Sequence, residues 1–167
     1  MIKTNNRGTT IVEALVVIVI LSLGLIPSLT VIVTVNSLSS IIMNDLIGAN
    51  LAQEGVEVVR SLRDANWFAS RSFDNNLIGD WTVEWNTNWV TNPPQPAGAN
   101  PALKLDSNGL YNYATGPDTY FRRRIFIIKD PTLPGCNCEL RVISEVTWPT
   151  KKTTRTLTVE SHLFNWK

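Results

Sequence analysis

Glu13 is the first acidic residue of the chain, and the next charge of either sign is Asp45. A lone carboxylate at the head of an apolar tract has a narrow chemistry. In lipid it costs about 2.5–3.5 kcal/mol at the bilayer centre and less near an edge. An opposite charge beside it removes that cost, because a buried pair is favoured where either member alone is penalised. A second pair of residues with chemical capacity is Cys136 and Cys138, separated by Asn137 alone. Three states are open to them: a strained local disulfide, free or intermolecular thiols, and a metal site that lacks further ligands nearby. The single histidine, His162, falls on the polar face of the last strand pattern.

Two other groups are open to a structural reading, as a solvated, partly salt-bridged face or as packing, or to a binding one. Arg122, Arg123 and Arg124 with Lys151, Lys152 and Arg155 form a basic cluster compatible with DNA, although the net charge of only +1 argues against a dedicated nucleic-acid surface. Trp81, Trp85 and Trp89 fall on one face of a strand pattern and are suited to core packing or to stacking on a glycan. No serine or cysteine sits in a nucleophile motif and no glycine-rich loop precedes a helix, so neither an enzyme nor a cofactor is implied. The acidic residues are too scattered for a calcium loop.

The element that positions Glu13 is a long helix. The apolar run from Ala14 to about Val35 supplies the roughly 20 residues that cross a bilayer. Lys3 and Arg7 precede it without an acidic neighbour, which leaves the leader in the cytoplasm and the remainder outside. No small-residue cleavage site follows the tract, so the segment is retained. Gly24 and Pro27 predict a kink or local melting near Leu23 to Pro27. From Asn44 to Asp64 the pattern becomes amphipathic, with Ala49, Ala52, Val56 and Val59 on one stripe and Ile47, Leu51, Val58 and Leu62 beside it. A continuous helix from Thr9 to about Asn66 is roughly 85 Å long at 1.5 Å per residue, so its second half must pack on a domain.

After Asn66, helix formers give way to Trp, Thr, Asn, Gly and Pro. Residues 92–101 hold four prolines and read as an exposed loop. Three strands close the chain. Phe121, Ile125 and Ile127 share a face with Arg123; Leu140, Val142, Val146 and Trp148 face inward on the second; Leu157, Val159 and Leu163 do so on the third. These make an antiparallel meander whose apolar face covers the amphipathic helix, an α+β domain over residues 67–167 behind a helix over 9–66 and a leader over 1–8.

The junction Arg7-Gly8-Thr9-Thr10-Ile11-Val12-Glu13 resembles the class III leader of type IV prepilins, and the chain is similar to type IV pilin-like proteins. The resemblance implies cleavage between Gly8 and Thr9 by a prepilin peptidase/methyltransferase and N-methylation of Thr9. Glu13 then becomes the fifth residue of the mature chain and meets the terminal amine of a neighbouring subunit during assembly. The helix-breaking pair Gly24 and Pro27 also fits the family. The segment from Leu51 to Asp64, opening Leu-Ala-Gln-Glu, and the ending Leu163-Phe164-Asn165-Trp166 are similar to minor pilins of the PilV type. The resemblance thus implies a minor pilin, held as a single-pass protein of the cytoplasmic membrane with its carboxy-terminal domain outside, then carried in a pilus at the cell surface. Its partners are other pilins or pseudopilins. Two alternatives share these features: a pseudopilin of a type II secretion or DNA-uptake system, and a membrane-anchored module that binds a glycan or DNA.

Overall fold

The computed structural model describes residues 7–129, 139–151 and 153–166. Helix α1 spans Arg7–Phe68, starting two residues before and ending two residues after the expected span. The chain forms two compact units, one ending at Asn44 and one beginning at Asp45, and α1 contributes to both. The amphipathic stretch therefore belongs with the sheet, not with the apolar tract.

The end of α1 is fixed by local hydrogen bonds. Ser70 takes a left-handed conformation (φ 54°), the Arg71 amide donates to Asn66 O at 2.8 Å, and the Ser70 amide donates to Trp67 O at 3.0 Å. This is the Schellman arrangement, with serine where glycine is usual. The fully buried Asn66 side chain donates to Asn75 O at 2.9 Å and ties the following turn back to the helix.

Beyond the helix, the described residues form seven antiparallel strands: β1 Gly79–Thr82, β2 Gln95–Pro96, β3 Ala102–Leu105, β4 Tyr111–Asn112, β5 Asp118–Lys129, β6 Glu139–Pro149 and β7 Thr154–Phe164. The expected meander is β5, β6 and β7, with unbroken register from Glu139↔Phe164 to Pro149↔Thr154. On the other edge of β5, β1 and β3 lie end to end, β1 against Ile125–Ile127 and β3 against Asp118–Arg122. The fold is α+β, a long amino-terminal helix packed on an antiparallel sheet.

The strand faces obey the alternation. Phe121, Arg123, Ile125 and Ile127 are buried on β5, as are Leu140, Val142, Val146 and Trp148 on β6, whereas Leu157 and Val159 on β7 are partly exposed. Two elements differ from expectation. The strand carrying the tryptophans stops at Thr82, because a turn at Trp85–Asn86 breaks it, so Trp81, Trp85 and Trp89 share no strand face. The proline-rich segment is not wholly a loop, since Gln95–Pro96 pairs with β1 as a two-residue edge strand and Ala97 behind it is buried.

The helix lies on this sheet through two glycines one heptad apart. A Cβ on Gly48 would stand 2.5 Å from Cζ3 of the Trp148 indole, and one on Gly55 would stand 2.6 Å from Ile125 Cδ1 and 2.8 Å from Ser144 Oγ. Between them passes Arg123, fully buried, whose Nη1 donates to Leu51 O at 2.9 Å and to Glu54 Oε1 at 2.8 Å while Nη2 donates to Val83 O. Gly48→Ala gains up to ~1 kcal/mol of helix propensity but overpacks a rigid buried ring, which costs about 1–3 kcal/mol. The variant should lose about 1 kcal/mol in denaturant unfolding monitored by tryptophan fluorescence. Gly24→Ala, where nothing lies within 4 Å, should lose none.

Candidate functional site

The candidate site is the apolar part of α1, from Arg7 to Asn44, a stretch rich in Val, Ile and Leu whose only charges are Arg7 and Glu13 at its start. Every large apolar side chain from Ile11 to Met43 is exposed, between 46 and 71 %. This is the one helix among the described residues long and apolar enough to cross a membrane.

Five of its hydroxyls bond to the helix's own carbonyls. Ser22 donates to Val19 O at 2.8 Å, Ser28 to Gly24 O at 2.7 Å, Thr30 to Ile26 O at 3.0 Å, Thr34 to Thr30 O at 2.8 Å and Ser40 to Asn36 O at 3.3 Å. A hydroxyl bonded to a carbonyl one turn back presents no unmet donor to an apolar neighbour. The helix stays unbroken through Gly24 and Pro27, so the local melting expected there is absent from the fold. Pro27 lacks an amide proton, and the hydroxyls of Ser28 and Thr30 flank the position by bonding the preceding turn.

Glu13 is different. It is exposed, and no hydrogen bond or ion pair joins it to another described residue. It lies in the second turn of α1, five residues beyond Gly8, and both Gly8 and Thr9 are in the helical backbone at its start. The geometry is that of a carboxylate on an apolar rod, open to a cation from outside the chain.

The remaining candidates are dispersed or used internally. Cys136 and Cys138 lie outside the described residues. The basic cluster is divided: Arg123 is buried, Arg122 Nη1 donates to Asn100 O, Arg124 is paired bidentately with Asp80, and Arg155 Nη2 lies 3.1 Å from Asp45 Oδ2. Trp81 and Trp89 are partly buried and donate to Leu77 O (2.7 Å) and Leu62 O (3.0 Å), which leaves Trp85 the most exposed of the three. Sequence reasoning missed the edge-on contact of Trp67 with Trp166, centroids 4.8 Å apart, and no periodic signal links those residues. Among the described residues no group of His, Cys, Asp and Glu could hold a metal ion.

His162 sits on the outer face of β7 between two carboxylates, bonded to Glu139 through Nδ1 and 3.1 Å from Glu160 Oε1 through Nε2. Glu160 is also gripped by Arg141, at 2.6 and 2.8 Å, and that guanidinium lowers its pKa. The hydrogen bond to Glu139 raises the His162 pKa above its ordinary value.

No protein-family model, curated protein or solved structure matches the chain.

A histidine whose pKa is raised by folding adds stability that is fully present below its unfolded pKa of about 6.5 and is lost as pH climbs through the folded value. The melting temperature should therefore fall by a few degrees at most as pH rises above about 6.5, since the His162 ring is solvent-exposed. His162→Gln should flatten that slope, as read by circular dichroism melts at several pH values.

Proposed function

We propose that the chain is a structural subunit of a type IV pilus, a minor pilin that works through α1. In this reading it waits in the cytoplasmic membrane with its sheet domain outside. The leader ending at Gly8 is removed, Thr9 is N-methylated, and the helix then packs among equivalent helices of other subunits. No catalytic step of its own and no cofactor enter this role.

The observation that carries the reading is the contrast within α1. From Ala14 to Val35 the hydroxyls bond to the helix's own carbonyls, and the one carboxylate ahead of that tract, Glu13, has no partner among the described residues. An apolar rod with one unmet charge near its amino terminus is suited to receive a cation from a neighbour, and the amine of a freshly exposed Thr9 is such a cation. The alternative of a dedicated glycan or DNA module draws less support. The tryptophans do not form a row, and the arginines on which DNA recognition depends are engaged inside the domain.

Leaving one charge of a buried pair unmatched costs about 3–5 kcal/mol. Glu13→Ala should thus insert in the membrane at normal levels yet be severalfold depleted from sheared filaments, as measured by immunoblot of both fractions. Peptide mass spectrometry of the wild type should find a chain beginning at methylated Thr9. An uncut Met1, or a normal filament content of the mutant, would sink the proposal.

A further inference from the structure

The arginines of the three long strands are not treated alike. Arg123 pairs with Glu54, Arg124 with Asp80, Arg141 with Glu160 and Arg155 with Asp45. Arg122 on β5 has no carboxylate partner among the described residues. Its Nη1 donates to Asn100 O at 2.5 Å, which ties one arm of the guanidinium to the turn before β3, while no hydrogen bond within the described residues occupies Nε or Nη2. Those two groups form the side of the fork that matches a carboxylate with two parallel hydrogen bonds.

An anion would find more than a charge there. Arg122 lines a cleft of about 410 Å³ where β5 begins and β6 ends, together with Thr119, Tyr120, Thr147, Pro149 and Thr154. The register sets Arg122 beside Thr147 and Pro149 beside Thr154. That volume lies in the range of small-ligand sites, roughly 300–1,000 Å³. Tyr120 is half exposed and offers the face of its ring. The Thr119 hydroxyl is committed to Leu103 O at 2.6 Å, but the hydroxyls of Thr147 and Thr154 enter no hydrogen bond within the described residues, so each can both donate and accept. No aspartate or glutamate lines the cleft.

We propose that this cleft binds an acidic sugar, with its carboxylate on Nε and Nη2 of Arg122, its ring against Tyr120 and its hydroxyls on Thr147 and Thr154. The count of charges selects the class. One unmatched guanidinium and no lysine line the cleft, which suits a single carboxylate, whereas a nucleic-acid strand gains affinity by having several phosphates neutralised. The hydroxyl-rich lining also lacks the apolar slot that would anchor a peptide side chain. None of Trp81, Trp85 and Trp89 takes part. Every residue of the site belongs to the unit beginning at Asp45, so the proposal is independent of the role given to α1.

The test titrates potassium D-glucuronate into the full chain in detergent micelles and follows backbone amide chemical shifts. Saturable shifts centred on residues 119–122, 147–149 and 154 are expected, with D-glucose binding at least about tenfold more weakly for want of the carboxylate. Arg122→Gln should weaken glucuronate binding at least about tenfold, and Thr154→Val, which keeps the side-chain shape and removes only the hydroxyl, about threefold. Thr154→Val decides the matter should Arg122→Gln lower the melting temperature by releasing Asn100. Equal binding of glucose and glucuronate, shifts centred elsewhere, or an unchanged affinity in Thr154→Val or in a fully folded Arg122→Gln would overturn the site. Tighter binding of a thymidine oligonucleotide than of glucuronate would overturn the class of ligand. An uncut amino terminus would sink the pilus role and leave this site standing, because glucuronate binding is read independently of it.

Discussion

Arg123 has no access to solvent, and a guanidinium cannot shed its charge, so the fold around it must supply acceptors. It does so from three segments distant in sequence: β5 carries the arginine, α1 offers the Leu51 carbonyl and Glu54 carboxylate, and the chain just beyond β1 offers the Val83 carbonyl. Replacing it by an apolar residue of similar volume is not evidently worse for stability, since the desolvation of a buried ion offsets much of its Coulombic gain. Its effect is on geometry. With Nη1 shared between a helix carbonyl and a carboxylate one turn apart, a shift of α1 along the sheet by one turn would leave the charge unmatched. Gly48 and Gly55 allow the close approach that brings those acceptors within reach, and the indole of Trp148 and the side chain of Ile125 fill the space the glycines leave.

The same helix therefore has its glycines put to two uses. Gly48 and Gly55 are contact points, buried against the sheet, whereas Gly24 has open space on the side where a Cβ would stand. Packing in the domain is specific because large and small residues interlock. In the apolar tract the exposed Val, Ile and Leu side chains make a nearly uniform surface. Such a surface is stable only in lipid or among similar helices, which is the physical content of the membrane-spanning reading.

Much of this was legible from residue pattern. The helix, its change of character near Asn44, the three long strands and their faces come from periodicities of 3.6 and 2 that burial then reproduces, down to Arg123 sharing a face with Ile125. The illegible part depends on single long-range contacts. β1 to β4 are two to four residues long and hold their conformation by pairing with a neighbour already in place, so their sequences carry little strand signal. The tryptophan row misled because a spacing of four was read on a strand that a turn at Trp85–Asn86 interrupts. Glu13 was visible from the start, because isolation in sequence is itself the signal; on the proposed reading, what it meets is set by another molecule.

That isolation bears on how helices of this kind could be placed beside one another. Between apolar helices in lipid there is little hydrophobic driving force, since the tails are as apolar as Leu, and association relies on close packing and polar contacts. The tract from Ala14 to Val35 is mostly Val, Ile and Leu, and its hydroxyls are bonded to its own carbonyls. A bundle made only of such surfaces would tolerate many axial offsets of similar energy. One unmet carboxylate breaks that degeneracy, because an ion pair in a low-dielectric setting falls off steeply once its members are separated by a turn of helix. On the proposed reading the apolar face would hold the subunits together, and Glu13 would decide where along the neighbour each one stops.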